Sequence, residues 1–148
     1  MNGYTRHVRA AASYRDALRT QTPVLQVVQL YDMAILRLKE ARAAILEQRI
    51  EDRHHAVMKA FAIVSGLQSC LDFERGGEVA PMLDGFYNHA TARMLQINRR
   101  NDSKICDELV NYLSPMRASW AQLAEGTPPS AAVAAGSSLA ARPASLVT

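Results

Sequence analysis

Apolar residues recur every three or four positions along most of this chain, in four segments separated by short polar or glycine-bearing breaks. From Thr22 to about Gln48 the apolar positions are Val24, Val27, Val28, Tyr31, Ala34, Ile35, Leu38, Ala41 and Ile45. At about 100° per residue they form one helical stripe. Thr22-Pro23 suits its start, since threonine caps a helix and proline at the first position lacks an N–H that would go unpaired anyway. A second helix is expected from about Glu51 to Phe73, with Val57, Ala60, Phe61, Val64, Leu67 and Leu71 on its stripe. Gly76-Gly77 supply the left-handed conformations that end a helix and reverse the chain. The third starts near Glu78 and carries Val79, Met82, Leu83, Phe86, Ala90, Met94 and Ile97, with Pro81 tolerated in its first turn. Asn101-Asp102-Ser103 offers a turn and an N-cap. The fourth, about Asp102 to Ala124, packs through Ile105, Leu109, Tyr112, Leu113, Met116, Trp120 and Leu123.

Long amphipathic helices on short connections must run antiparallel, because the loops are too short to cross over. The pattern therefore predicts an all-α, up-down-up-down four-helix bundle over residues 21–124. Residues 1–20 form an N-terminal segment with a short helix, Ala12 to Arg19, too short to stand alone. Residues 125–148 change composition to Ala, Ser, Pro and Gly, with Arg142 as the only charge from Thr127 onward. They cannot bury enough surface to offset the entropy of ordering, so a disordered tail is expected. Pro115 interrupts the fourth helix and is expected on a solvated face opposite Leu109 and Met116.

Composition adds little that the pattern lacks. Of the 148 residues, 49% are hydrophobic and 21% charged, near globular averages. Cys70 and Cys106 belong to no CxxC pair and read as small buried residues of a reducing compartment, with a single disulfide between them as the alternative. With neither a secretory leader nor a run of about 20 apolar residues, a cytoplasmic protein without membrane insertion is expected. The net charge of +3 is spread among acidic residues rather than gathered into a basic stripe. A nucleic-acid-binding regulator using Arg37, Lys39, Arg42 and Arg49 stays as the rival reading, and a bundle that only dimerises as a third.

Catalytic chemistry is not in evidence along the chain. His54-His55 are adjacent, so their imidazoles point about 100° apart and cannot share one ion as HExxH does. Phosphate-binding and nucleophile-elbow glycine motifs are missing, as is the paired inward ExxH of di-iron bundles. No enzyme, metal or cofactor is expected. What stands out is an apolar surplus. Leu25 and Leu36 fall about a quarter turn from the first stripe, with Met33 further round. Met58, Ala62, Ile63, Cys70, Phe73 and Leu95 lie off their own stripes. Either the stripes of a small bundle are wide, or grooves await a partner's amphipathic helices.

Thr22-Pro23-Val24-Leu25, then Leu30-Tyr31-Asp32 with Ala34-Ile35, resembles the opening T-x-x-P-x-E-L … L-Y-D-G-A-I pattern of the FliS family of flagellar export chaperones. Leu67 and Leu71-Asp72, Gly76-Gly77-Glu78-Val79-Ala80, Leu83 and Tyr87, and Leu113 with Arg117 and Trp120 are similar to its later motifs, in the right order. The resemblance spans roughly Thr20 to Ala124. Val24 stands where the family has Glu and Met33 where it has Gly, and the tail has no counterpart. It implies a non-catalytic chaperone that binds the C-terminal region of flagellin and contacts the flagellar export gate. It also implies an N-terminal segment lying over the groove, through Tyr14 and Leu18. On this reading the partner-binding residues are Tyr14, Leu25, Gln29, Asp32 and Leu36, with Tyr31 and Tyr87 as aromatic anchors; Tyr31 fits the core equally well.

Overall fold

A computed structural model describes residues 24–126, and these form four α-helices. Helix α1 is Val24–Leu46, α2 Ile50–Ser69, α3 Val79–Arg100 and α4 Ser103–Ala124. The expected short helix, the Thr22-Pro23 start and the tail after Gly126 lie outside the described residues. Helix α1 packs on α2 and α4, and α3 packs on the same two, so the first and last helices stand side by side and close a ring. Ion pairs give the direction. Asp32 meets Arg117 and Arg42 meets Asp107, so ten residues forward along α1 are ten residues back along α4. Arg93 with Glu108, and Gln68 with Asp84, tie α4 to α3 and α2 to α3.

The turns follow from a few residues. After α1, Gln48 takes φ +59°, Arg49 N–H reaches the Ala44 carbonyl and Gln48 N–H the Ile45 carbonyl, a Schellman ending with glutamine at its left-handed position. After α3, Asn101 takes φ +53° and its N–H bonds the Ile97 carbonyl, which asparagine tolerates well. Asp102 then caps α4 by accepting from the Lys104 N–H at 2.9 Å. Helix α2 stops at Ser69, four residues short of the expected Phe73. There the Asp72 carboxylate accepts from the Glu74 and Arg75 N–H groups at 3.0 Å each, and this local turn outcompetes helix continuation. Gly76-Gly77 thus belong to the connection, with Gly77 at φ +54°, rather than to the helix end.

The inward stripes are those the spacing predicts, and Trp120, Tyr31, Tyr87, Phe86, Leu38 and Leu113 are among the largest fully buried side chains. Tyr31 and Tyr87 join hydroxyls across the core at 2.9 Å, which answers their need for a polar partner. Phe86 stacks on Tyr112 with ring centroids 4.3 Å apart. Cys106 is buried and its thiol is pushed up to about 11, chiefly by desolvation, so it is an inert packing group. Cys70 is only half-buried, just past the end of α2, against the expectation that both cysteines are core. Pro115 is half-buried rather than on a solvated face. Its ring denies the Asn111 carbonyl a helical donor, and Asn111 itself is exposed, where solvent reaches.

Two measurements check this architecture. Trp120→Ala leaves a large void among residues that cannot collapse and is expected to cost about 3–5 kcal/mol in urea unfolding. Leu25→Ala, at an exposed position, changes stability by less than about 0.5 kcal/mol. His89 is half-buried against Tyr112, and desolvation first, then the Arg93 charge, lowers its pKa below the ordinary 6.5, with Glu108 opposing. A depressed folded pKa means that the unfolded chain takes up the proton first. Stability present above pH 6.5 is therefore lost as pH falls towards the folded pKa. His89→Gln is expected to flatten that decline in urea midpoints taken from about pH 7.5 to about pH 5.

Candidate functional site

Leu25, Gln29, Asp32 and Leu36 recur at intervals of four, three and four, so they form one row along the outer side of α1. Core contacts consume the opposite arc of that helix, through Val27, Tyr31, Ala34, Leu38 and Ala41, so the row stands further from the stripe than the quarter turn expected. The row is left in solvent: Leu25 is 58% exposed and Leu36 45%. Met33, beside the row, is 39% exposed. The two leucines are eleven residues apart, roughly 16 Å along the helix.

The facing wall comes from α4. Asp107 and Arg117 both bond to α1, and Val110, Ser114 and Ala121 share their row at the same three–four spacing. These three side chains are small or half-buried, and the Ser114 hydroxyl donates to its own helix at the Val110 carbonyl. Between its two ion pairs the α4 side of the seam is thus uncharged, and the leucine row runs along the neighbouring outer face of α1. Arg117 crosses the seam. Its Nε and Nη2 donate to the two oxygens of Asp32 at 2.8 and 3.1 Å, and this partner raises the pKa of the guanidinium above its ordinary value. Such an arrangement can hold an apolar helix side-on.

Of the residues singled out from sequence, Leu25, Gln29, Asp32 and Leu36 share one exposed face of α1, and Asp32 reaches across to α4. Tyr31 and Tyr87 are 1% exposed each and bonded to one another, so they are core residues here and not surface anchors. Their helical phase decides this, since both fall on the inward stripe. Tyr14 and Leu18 lie outside the described residues. Arg117 was missed as a site residue, because its partnership joins positions 85 apart in sequence. Leu46 and Ile50, 60% and 59% exposed around the α1–α2 turn, were also missed, since stripes lose their meaning at helix ends. Met58, Phe73 and Leu95 are exposed off their stripes, whereas Ile63 packs against the core.

Other chemistry finds little footing. Among the described residues no group of three or more His, Cys, Asp or Glu side chains could hold a metal. An open cleft of about 330 Å³ between α1 and α2 is lined by Glu40, Arg49, Asp52, His55 and Lys59 with two alanines, a polar hollow of mixed charge. Arg37 pairs with Glu40, Arg42 with Asp107, and Arg49 with Glu47 and Asp52, so three of the four basic residues considered for nucleic acid are already neutralised. No helix among the described residues is long and apolar enough to cross a membrane.

Comparison with known proteins bears on the same helices. Residues 6–127 match the model of the family described as "Flagellar protein FliS". The chain is 37% identical over 84 residues to the flagellar secretion chaperone FliSB of Pseudomonas aeruginosa, covering 57% of this chain and 67% of that protein. It is 32% identical over 115 residues to the flagellar secretion chaperone FliS of Salmonella typhimurium, covering 77% of this chain and 85% of that one. With the chaperone of the same name from Vibrio cholerae it shares 30% over 111 residues, or 75% and 82% of the two chains. A four-helix bundle with an unconsumed apolar lip, matched over most of its length in this way, belongs to the FliS family of flagellar secretion chaperones.

Proposed function

We propose that this protein binds the C-terminal segment of flagellin in the cytoplasm, keeps subunits from polymerising early and delivers them to the flagellar type III export apparatus. The observation that carries this reading is the solvent-exposed row of Leu25 and Leu36 on the outer side of α1, with Met33 beside it. A chain that folds as it binds supplies the missing apolar face. Each captured Leu or Met contributes roughly 1.5–3 kcal/mol of burial, set against the cost of ordering the captured segment. Methionine at position 33 suits a lip that must accept more than one side-chain shape. The work is capture and release, without bond chemistry, and the export gate is the expected second contact.

Leu25→Asp combined with Leu36→Asp tests the site. Both positions are exposed, so helical circular dichroism and cooperative unfolding are expected to persist. Affinity for a C-terminal flagellin fragment in calorimetry should fall by at least about a hundredfold. Unchanged affinity removes the assignment. Capture should also vary less than about threefold between roughly 50 and 200 mM salt, whereas a protein held by phosphate contacts loses orders of magnitude over that range.

A further inference from the structure

The row on α1 is not apolar throughout. Asp32 lies seven residues after Leu25 and four before Leu36, on the same face of the helix, and is half-exposed with its carboxylate fixed by Arg117 from across the seam. Arg117 spends Nε and Nη2 on that carboxylate, and Nη1 makes no hydrogen bond within the described residues. The second ion pair between these helices, Arg42 with Asp107, sits ten residues further along α1 and beyond Leu36. The polar crossing thus lies between the two leucines, under the middle of anything that covers both.

The Arg117 side chain is open to solvent, which can satisfy its remaining donors. A helix laid over Leu25 and Leu36 removes that water, and a covered polar group left without a partner is costly. A helix that brings an acceptor to the same place replaces the water at little loss. A wholly apolar stripe is therefore penalised at that one position, which is discrimination by a built-in mismatch. The pair itself adds little to folding, because both side chains are substantially exposed.

We propose that Asp32 and Arg117 are a specificity-determining pair, reading a client helix that carries an acceptor side chain (Asn, Gln, Ser, Thr, Asp or Glu) between two apolar residues eleven positions apart. The acceptor stands seven residues from one apolar residue and four from the other, so all three share one face of the client helix. This inference rests on the seam being the flagellin site and adds what that site selects.

The test uses the full chain and a C-terminal flagellin fragment in which each polar residue of the bound helices is changed to Leu in turn. Against the wild-type chaperone, one such change, flanked by apolar residues at the stated spacing, is expected to weaken binding about tenfold or more in calorimetry. Asp32→Leu with Arg117→Met should abolish that penalty while leaving the thermal midpoint within a few degrees. Arg117→Lys, a single charge without the fork, should keep only part of it. If the wild type binds the fragment but no position shows a penalty that depends on the pair, the inference is overturned and the site assignment stands. If the wild type does not bind the fragment, the functional reading fails and this inference with it.

Discussion

The side-by-side, antiparallel contact of the first and last helices is the constraint on which the rest of this molecule depends. It turns four amphipathic segments into a closed ring, so that each helix has two neighbours and the inward stripes share one core. Closing it brings together residues more than 80 positions apart, as with Asp32 and Arg117, which chain connectivity does nothing to encourage. Burial of Tyr31, Leu38, Leu109, Leu113 and Trp120 supplies the driving force. The ion pairs lie half-exposed at the surface and fix alignment more than they add stability.

That contact also makes the candidate site. A helix with two neighbours keeps one outward face, and on α1 the face carries leucine where solvated helices carry charge. The helix is apolar on more than the arc its neighbours consume. Single exposed apolar side chains are common on soluble proteins, but Leu25, Met33 and Leu36 crowd the outward side of one helix, beside the crossing of Asp32 to Arg117. A binding protein that captures a folding client needs surface of this kind, available without unfolding its own core. The division is clean here, since the tyrosines of the same segment are committed inside while the leucines are left out.

Charge works towards the same end by being spent locally. Arginines of α1 and the following turn are matched by Glu40, Glu47, Asp52 and Asp107, so the excess positive charge of the chain does not gather beside the leucine row. A surface so balanced favours contact by shape and burial over long-range attraction. Asp32 with Arg117 is the one charged element set into the row itself, and it gives an otherwise greasy seam a fixed polar point.

Helix number, their stripes and the antiparallel order were legible in the sequence, because a period of 3.6 residues and the residues at turns act over a few neighbours at a time. So was the apolar surplus, as residues out of phase with their stripe. Tertiary structure decided the rest. Asp72 ended α2 early through a local turn, Pro115 took a half-buried place instead of a solvated one, and Tyr31 and Tyr87, inward by phase, met as a bonded pair. The partnership of Asp32 with Arg117, and hence which outward face of α1 becomes a seam with a second wall, depends on how distant helices align. Periodicity tells a helix which side to bury, but only packing between helices tells it who stands next to the side left over.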